Sequence, residues 1–165
     1  MNELLSNLIE ALREELKQYG EMLALLDQQQ VLVMRRQTVE LPENVNSVNA
    51  QAAVLAVARQ EREQRQRHIA RALEVPESSG FGSLIPQLPA DYQPLVGALV
   101  AENNELLTRV QSRAQQNHLL LSHCVDLMQQ FIHSIFPSSS PVTYNDAGRL
   151  PLVEPHSRSL YQAVG

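Results

Sequence analysis

Three histidines and the only cysteine fall close together in this sequence, at His118, His123, Cys124 and His133, and they are the first residues to test for chemistry. Imidazoles and a thiolate could hold a metal or act as base and nucleophile. Their spacing argues against both. His118 and His123 are five apart and share a helix face poorly, and His133 lies one turn before the expected helix end. No Glu is followed three positions later by His, so the di-iron carboxylate pattern of ferritin-like bundles is missing. There is no second cysteine for zinc or an internal disulfide, and no Gly-rich phosphate loop. Cys124 falls on a core heptad position, where a thiol behaves as a small hydrophobe. The expectation is a protein that binds rather than catalyses, with no metal and no cofactor.

Two other stretches could carry recognition chemistry. The run RQEREQRQRH, Arg59 to His68, contains no apolar residue. It reads either as a helix end projecting into solvent or as a basic stripe for an acidic partner. That stripe is Arg59, Arg62, Arg65 and Arg67, with Glu61 and Glu63 diluting its charge. The second stretch begins at Asn117. Leu119, Leu120, Leu121, Val125, Met128, Ile132, Ile135 and Phe136 make a helix apolar over more than half its circumference. A single seam cannot bury that much surface, so the excess must face another helix, another subunit or a client.

The elements that position these stretches are helices. Leu, Ala, Gln, Glu and Arg dominate, aromatics are 4% and Trp is absent, which disfavours a β-sandwich or an α/β enzyme. The formal net charge is -5, so a phosphate backbone is not a favoured partner. Nothing approaches the roughly 18 consecutive apolar residues that span a bilayer. The N-terminus carries acids early and lacks the basic start and apolar run of a secretory signal, so a cytoplasmic location is expected.

Leu5, Ile9, Leu12, Leu16, Tyr19, Leu23 and Leu26 alternate steps of four and three, the seam of a coiled coil. Leu4, Leu8, Met22 and Leu25 widen that stripe, as in a helix inside a bundle. Helices are predicted over about 2–36, 43–74 and 91–136, with Pro42 in a loop or in the first turn of the second. The second has Val48, Ala52, Leu55, Ile69 and Leu73 on one side. Residues 75–90 are a Pro/Gly/Ser-rich linker whose Phe81, Leu84, Ile85 and Leu88 should pack a short helical turn onto the bundle end. Asp91 is the expected cap of the third helix, whose seam runs Val96, Leu99, Asn103, Leu106, Val110, Arg113, Asn117, Leu120, Cys124, Leu127, Phe131. Polar groups at Asn103, Arg113 and Asn117 cost stability but fix register. The expected fold is all-α: an elongated antiparallel bundle of three long helices plus a short connecting helix over 1–136, then a flexible tail over 137–165. The tail lacks a period but carries Val142, Tyr144, Leu150, Leu152, Val153, Leu160 and Tyr161, apolar residues spaced as in a short binding motif.

Three features resemble the flagellar export chaperones of the FlgN family, which escort the hook–filament junction proteins. They are the heptad helix LLSNLIEALREELKQYGEMLALLDQQQ, a charged second helix ending in IARALEVPES, and a last helix NHLLLSHCVDLMQQFIHSIF followed by VTYNDAGRL. The order of these elements and the T-Y-x-x-x-G pattern of Tyr144 to Gly148 carry most of the resemblance, which covers roughly residues 2–150. The segment VELPENVNSVNAQAAV is poorer in charge than the family pattern, and the tail runs on past Gly148, which leaves the extreme C-terminus without a family-based role.

The resemblance implies a chaperone that binds the C-terminal helical segments of hook-associated proteins. It would prevent their premature self-association and deliver them to the export gate. It also implies a transient contact between a tail tyrosine, here Tyr144, and that membrane protein. The apolar surplus places the client face on Leu120, Leu121, Val125, Met128, Phe131, Ile132 and Ile135. The alternative is a coiled-coil scaffold acting through homo-oligomerisation, as a homodimer zipped along Leu5–Leu26.

Overall fold

The computed structural model describes residues 1–135. Among them the chain is helical, with no strand. Its elements are α1 (Asn2–Met34), α2 (Leu41–Ala72), the single turn α3 (Phe81–Leu84) continued by a 3-10 turn (Ile85–Gln87), and α4 (Gln93–Ile135). The described residues fall into two units, Met1–Cys124 and the end of α4 from Val125.

In the first unit α1, α2 and α4 form a bundle whose directions are fixed by side-chain hydrogen bonds. Asn44 donates to the Leu25 carbonyl, Gln51 to that of Gln18, and Arg62 to the Glu15 carboxylate, so α2 runs antiparallel to α1. Asn103 donates to the Leu12 carbonyl and Asn117 to that of Leu26, so α4 runs parallel to α1. The pairing follows rows of sevens. Leu5, Leu12, Tyr19 and Leu26 of α1 are buried, as are Val96, Asn103, Val110 and Asn117 of α4. A second α1 row, Leu8, Glu15, Met22 and Gln29, is buried as well.

The core has two apolar compartments. One joins Leu5, Leu8, Ile9 and Leu12 to Ile69, Leu88, Val96 and Leu99. Phe81, Ile85 and Tyr92 pack against it, so the linker closes this end of the bundle as its apolar residues predict. The other joins Tyr19, Met22, Leu23, Leu26 and Val110, with Val48, Leu55, Leu106 and Leu107 at its edge. Glu15, Gln18 and Asn103 are buried polar residues whose positions fall between these two groups.

Local chemistry explains the boundaries. Pro42 sits in the first turn of α2, where its missing N–H costs nothing. Two residues past the end of both α1 and α2 stands a residue with positive φ, Arg36 and Glu74 at 56° each. In each case the next N–H reaches back into the last turn, Gln37 to Leu32 and Val75 to Ala70, which satisfies a terminal carbonyl.

Three expectations need correction. The last helix opens at Gln93, so Asp91 is not adjacent to it. Instead the Gln93 side chain donates to the Leu88 carbonyl at 2.8 Å. Ala52 is exposed, and α2 buries Asn44, Ala58, Ile69 and Ala70 in its place. Cys124 is exposed rather than core. Its seven-residue row is buried only as far as Asn117, and α1, which supplies the other side of that seam, ends at Met34.

Candidate functional site

Two clusters in the described residues hold groups that could recognise something. The first is the buried layer around Glu15, whose residue is 3% exposed. Arg62 Nε lies 3.0 Å from its Oε2 and Arg59 Nε 4.0 Å from its Oε1. Tyr19 Oη donates to Oε1 at 3.3 Å. Burial pushes the Tyr19 phenol above its ordinary pKa, and the negative charge of Glu15 pushes the same way against Arg59 and Arg62. Arg62 continues outward: it donates to Gln66, which donates to the Ser79 carbonyl at 2.8 Å, and its guanidinium lies 5.9 Å from the Phe81 ring centroid. A cavity of about 170 Å³ opens beside this layer, lined by Leu12, Glu15, Tyr19, Arg59, Arg62, Phe81 and Asn103, among others.

This layer answers the question raised by the polar run on α2. The run neither projects freely nor presents four arginines to a partner. Arg62 is turned inward with its side chain 16% exposed, and Arg59 leans on the same carboxylate. Arg67 pairs with Glu63 one turn away at 3.7 Å, and Arg65 lines a shallow depression with Glu10, Glu14 and Glu61. Two of the four arginines, Arg59 and Arg62, have their acidic partner on this chain's own α1. Glu15 was missed because a charged residue does not register in a hydrophobic period. Counting sevens without regard to type from Leu8 to Met22 would have flagged it.

The second cluster is the end of α4. The last buried residue of α4 is Asn117, held by the Leu26 carbonyl at 2.7 Å and by Gln29 at 3.0 Å. Arg113, one turn earlier, pairs with Asp27 at 2.7 Å and also donates to Gln30. Beyond Asn117 the burial ends. Leu120 and Leu121 are half-buried, and every residue from His123 to Ile135 is exposed. Val125, Leu127, Met128, Phe131, Ile132 and Ile135 are between 51% and 66% exposed. A side chain of this kind gains about 1.5–3 kcal/mol when fully buried, so each leaves roughly 1 kcal/mol unrealised.

Their arrangement on the helix is regular. Leu121, Val125, Met128, Ile132 and Ile135 step by four and three, which places them in one row. Phe131 flanks it, and Leu127 lies farther round the helix. Between Ala114 and Ile135 the only Asp, Glu, Lys or Arg is Asp126, which the helical period puts on the far side from Met128. Of the seven residues assigned to a client face from sequence, five are exposed here and two, Leu120 and Leu121, are partly packed. Tyr144 lies outside the described residues.

No group of three or more His, Cys, Asp or Glu side chains capable of holding a metal occurs among the described residues. No helix among them is long and apolar enough to cross a membrane. A family model described as FlgN protein matches residues 1–151. No curated protein and no solved structure matches the chain.

Proposed function

The chain belongs to the FlgN family of flagellar export chaperones, and from that premise we propose that its α4 end receives the C-terminal helical segment of a hook-associated protein. The observation that carries this reading is the exposed row Val125, Met128, Ile132 and Ile135, uncharged and set at heptad spacing. An amphipathic client helix laid along it buries its own apolar face in the same step, the helix-in-groove mode of recognition. Covering that face keeps the client from pairing with other copies of itself. Leu121 continues the row at its N-terminal end, and Leu120 and Phe131 widen it along one edge. Delivery then needs a second, weaker contact, and Tyr144 supplies it to the export gate: an aromatic side chain gives large contact area at low entropic cost.

The test is co-purification with the C-terminal fragment of a hook-associated protein from the same genome. Met128→Glu with Ile132→Glu is expected to weaken capture at least tenfold while helicity by circular dichroism is unchanged. Capture that survives the double substitution places the client elsewhere. Tyr144→Ala is expected to leave client capture intact and reduce pull-down of the gate protein. Equal gate capture removes that role from Tyr144. The scaffold reading is disfavoured in the form that zips along Leu5–Leu26, because those leucines are buried in the chain's own core.

A further inference from the structure

We propose that the cavity beside Glu15 is a binding site for a small organic carboxylate, held by Arg59 at its mouth. The cavity has a volume of about 170 Å³ and takes its walls from α1, α2, α3 and α4. Its charges do not balance. Among its lining residues the one acid is Glu15, set against Arg59 and Arg62. Arg62 is engaged on all sides: it donates to Glu15 and to Gln66, and it lies 3.7 Å from Glu63. Arg59 is not. Its Nε stands 4.0 Å from Glu15, beyond hydrogen-bond reach, and its guanidinium makes no hydrogen bond among the described residues. Its side chain is half exposed, so the guanidinium meets both the cavity and the solvent outside it.

A planar guanidinium with free N–H groups matches the two oxygens of a carboxylate. Arg62, at 3.0 Å, already neutralises Glu15. A second carboxylate on Arg59 therefore completes a second ion pair instead of crowding the first. Asn104 is exposed on the same lining and brings a side-chain amide as a further donor. The apolar wall sets the rest of the ligand. Leu12 is buried, and Phe81 and Leu107 are half-buried. A cavity of about 150 Å³ lined by such side chains holds a benzene ring. This one has room for an aromatic ring or a branched aliphatic chain, with the carboxylate at the mouth. A phosphate sets more charge against the same apolar wall and leaves no carbon to fill it, which selects the carboxylate. Because the ligand touches side chains from every helix of the layer, it binds the folded bundle and not the unfolded chain. The site lies within Met1–Cys124 and uses no residue of the exposed α4 row, so it stands or falls separately from the client reading.

Benzoate is the probe, titrated into the isotope-labelled full chain at constant sodium concentration and followed by amide NMR shifts. Saturable shifts are expected around Tyr19, Arg59, Phe81 and Leu107, with a Kd on the order of 1 mM for so small a ligand. The melting temperature should rise with benzoate concentration in step with that Kd. Benzamide has the same shape without the charge, and it should bind at least tenfold more weakly, as should inorganic phosphate. Arg59→Gln should weaken benzoate at least tenfold, with the spectrum otherwise that of the wild type, because it leaves the Glu15–Arg62 pair in place. Shifts that never saturate, or that spread over the whole surface, overturn the site. Benzamide or phosphate binding as tightly as benzoate overturns the carboxylate assignment. An Arg59→Gln variant that binds benzoate like the wild type overturns the role of Arg59 and the proposal with it.

Discussion

Replacing Glu15 by Leu gives the most direct test of how the bundle is held. The carboxylate is buried, and its main partner Arg62 has a side chain only 16% exposed. With Glu15 gone, the Arg62 guanidinium keeps its contacts to Gln66 and Phe81 but loses its counter-charge. Breaking one side of a buried ion pair costs about 3–5 kcal/mol, because the remaining charge stays desolvated. At roughly 2–4 °C per kcal/mol for a chain of this size, the melting temperature should fall by on the order of 10 °C. Arg62→Leu should cost a similar amount, since it strands Glu15 with only Arg59 at 4.0 Å and the Tyr19 hydroxyl.

The double substitution separates this account from simple loss of packing. Removing both members of the pair strands neither charge, and replacing a buried ion pair by apolar side chains is often neutral or stabilising. Glu15→Leu with Arg62→Leu should therefore be no less stable than either single variant, a coupling of several kcal/mol in a double-mutant cycle. Urea unfolding followed by circular dichroism at 222 nm measures all four states. Additive losses would refute the reasoning, and so would a single Glu15→Leu loss below about 1 kcal/mol. Either result would mean that Arg62 escapes to water and that the layer is solvated in practice.

Other perturbations reach other parts of the layer and the helix ends. Tyr19 has a raised phenol pKa, so above pH 10 the unfolded chain loses a proton that the folded one keeps. Stability should fall as pH rises through that range, by at most about 1.4 kcal/mol per pH unit from this group, and Tyr19→Phe should flatten the slope. An unchanged alkaline slope in the variant refutes the assignment. Asn103 donates its amide to two carbonyls but leaves Oδ1 buried without a partner. Asn103→Leu should raise stability by about 1 kcal/mol, the low end of the cost of a buried unpaired group. A loss on urea unfolding would show that the amide is worth more than the orphaned oxygen. Glu74 holds φ at 56°, a conformation that costs a side-chain-bearing residue. Glu74→Gly should stabilise by about 0.5–1 kcal/mol after the added freedom of the unfolded chain is subtracted, read as a higher melting temperature.

Much of the bundle was legible in heptads. Leu5, Ile9, Leu12, Tyr19, Leu23 and Leu26 were placed on the seam by their spacing, and all are buried. The apolar content of the linker anticipated its packing on the bundle end. The Glu15 layer was not legible, for a physical reason. Its pairing with Arg62 depends on the antiparallel register of α1 and α2, a long-range property that no local period encodes. Cys124 failed differently. Its period is right, but a seam position is buried only while the facing helix continues, and α1 ends at Met34.

The distribution of polarity along α4 separates two kinds of residue. Early in the helix, Asn103 and Asn117 occupy buried positions where leucine would bury more apolar area. Late in the helix, Phe131, Ile132 and Ile135 occupy exposed positions where a polar residue would be more soluble. A sequence shaped for stability alone would exchange the two sets. The asparagines trade core energy for contacts at defined positions, Leu12 and Leu26, two heptads apart on α1 as they are on α4. Those contacts hold α4 against sliding by a turn. The late residues leave apolar surface unburied, which is useful only if something else covers it. Because the two sets occupy different stretches of the helix, polar substitutions at Met128 or Ile132 remove exposed apolar surface without removing any buried side chain. Loss of partner binding in such variants can therefore be read as loss of the interface rather than loss of the fold.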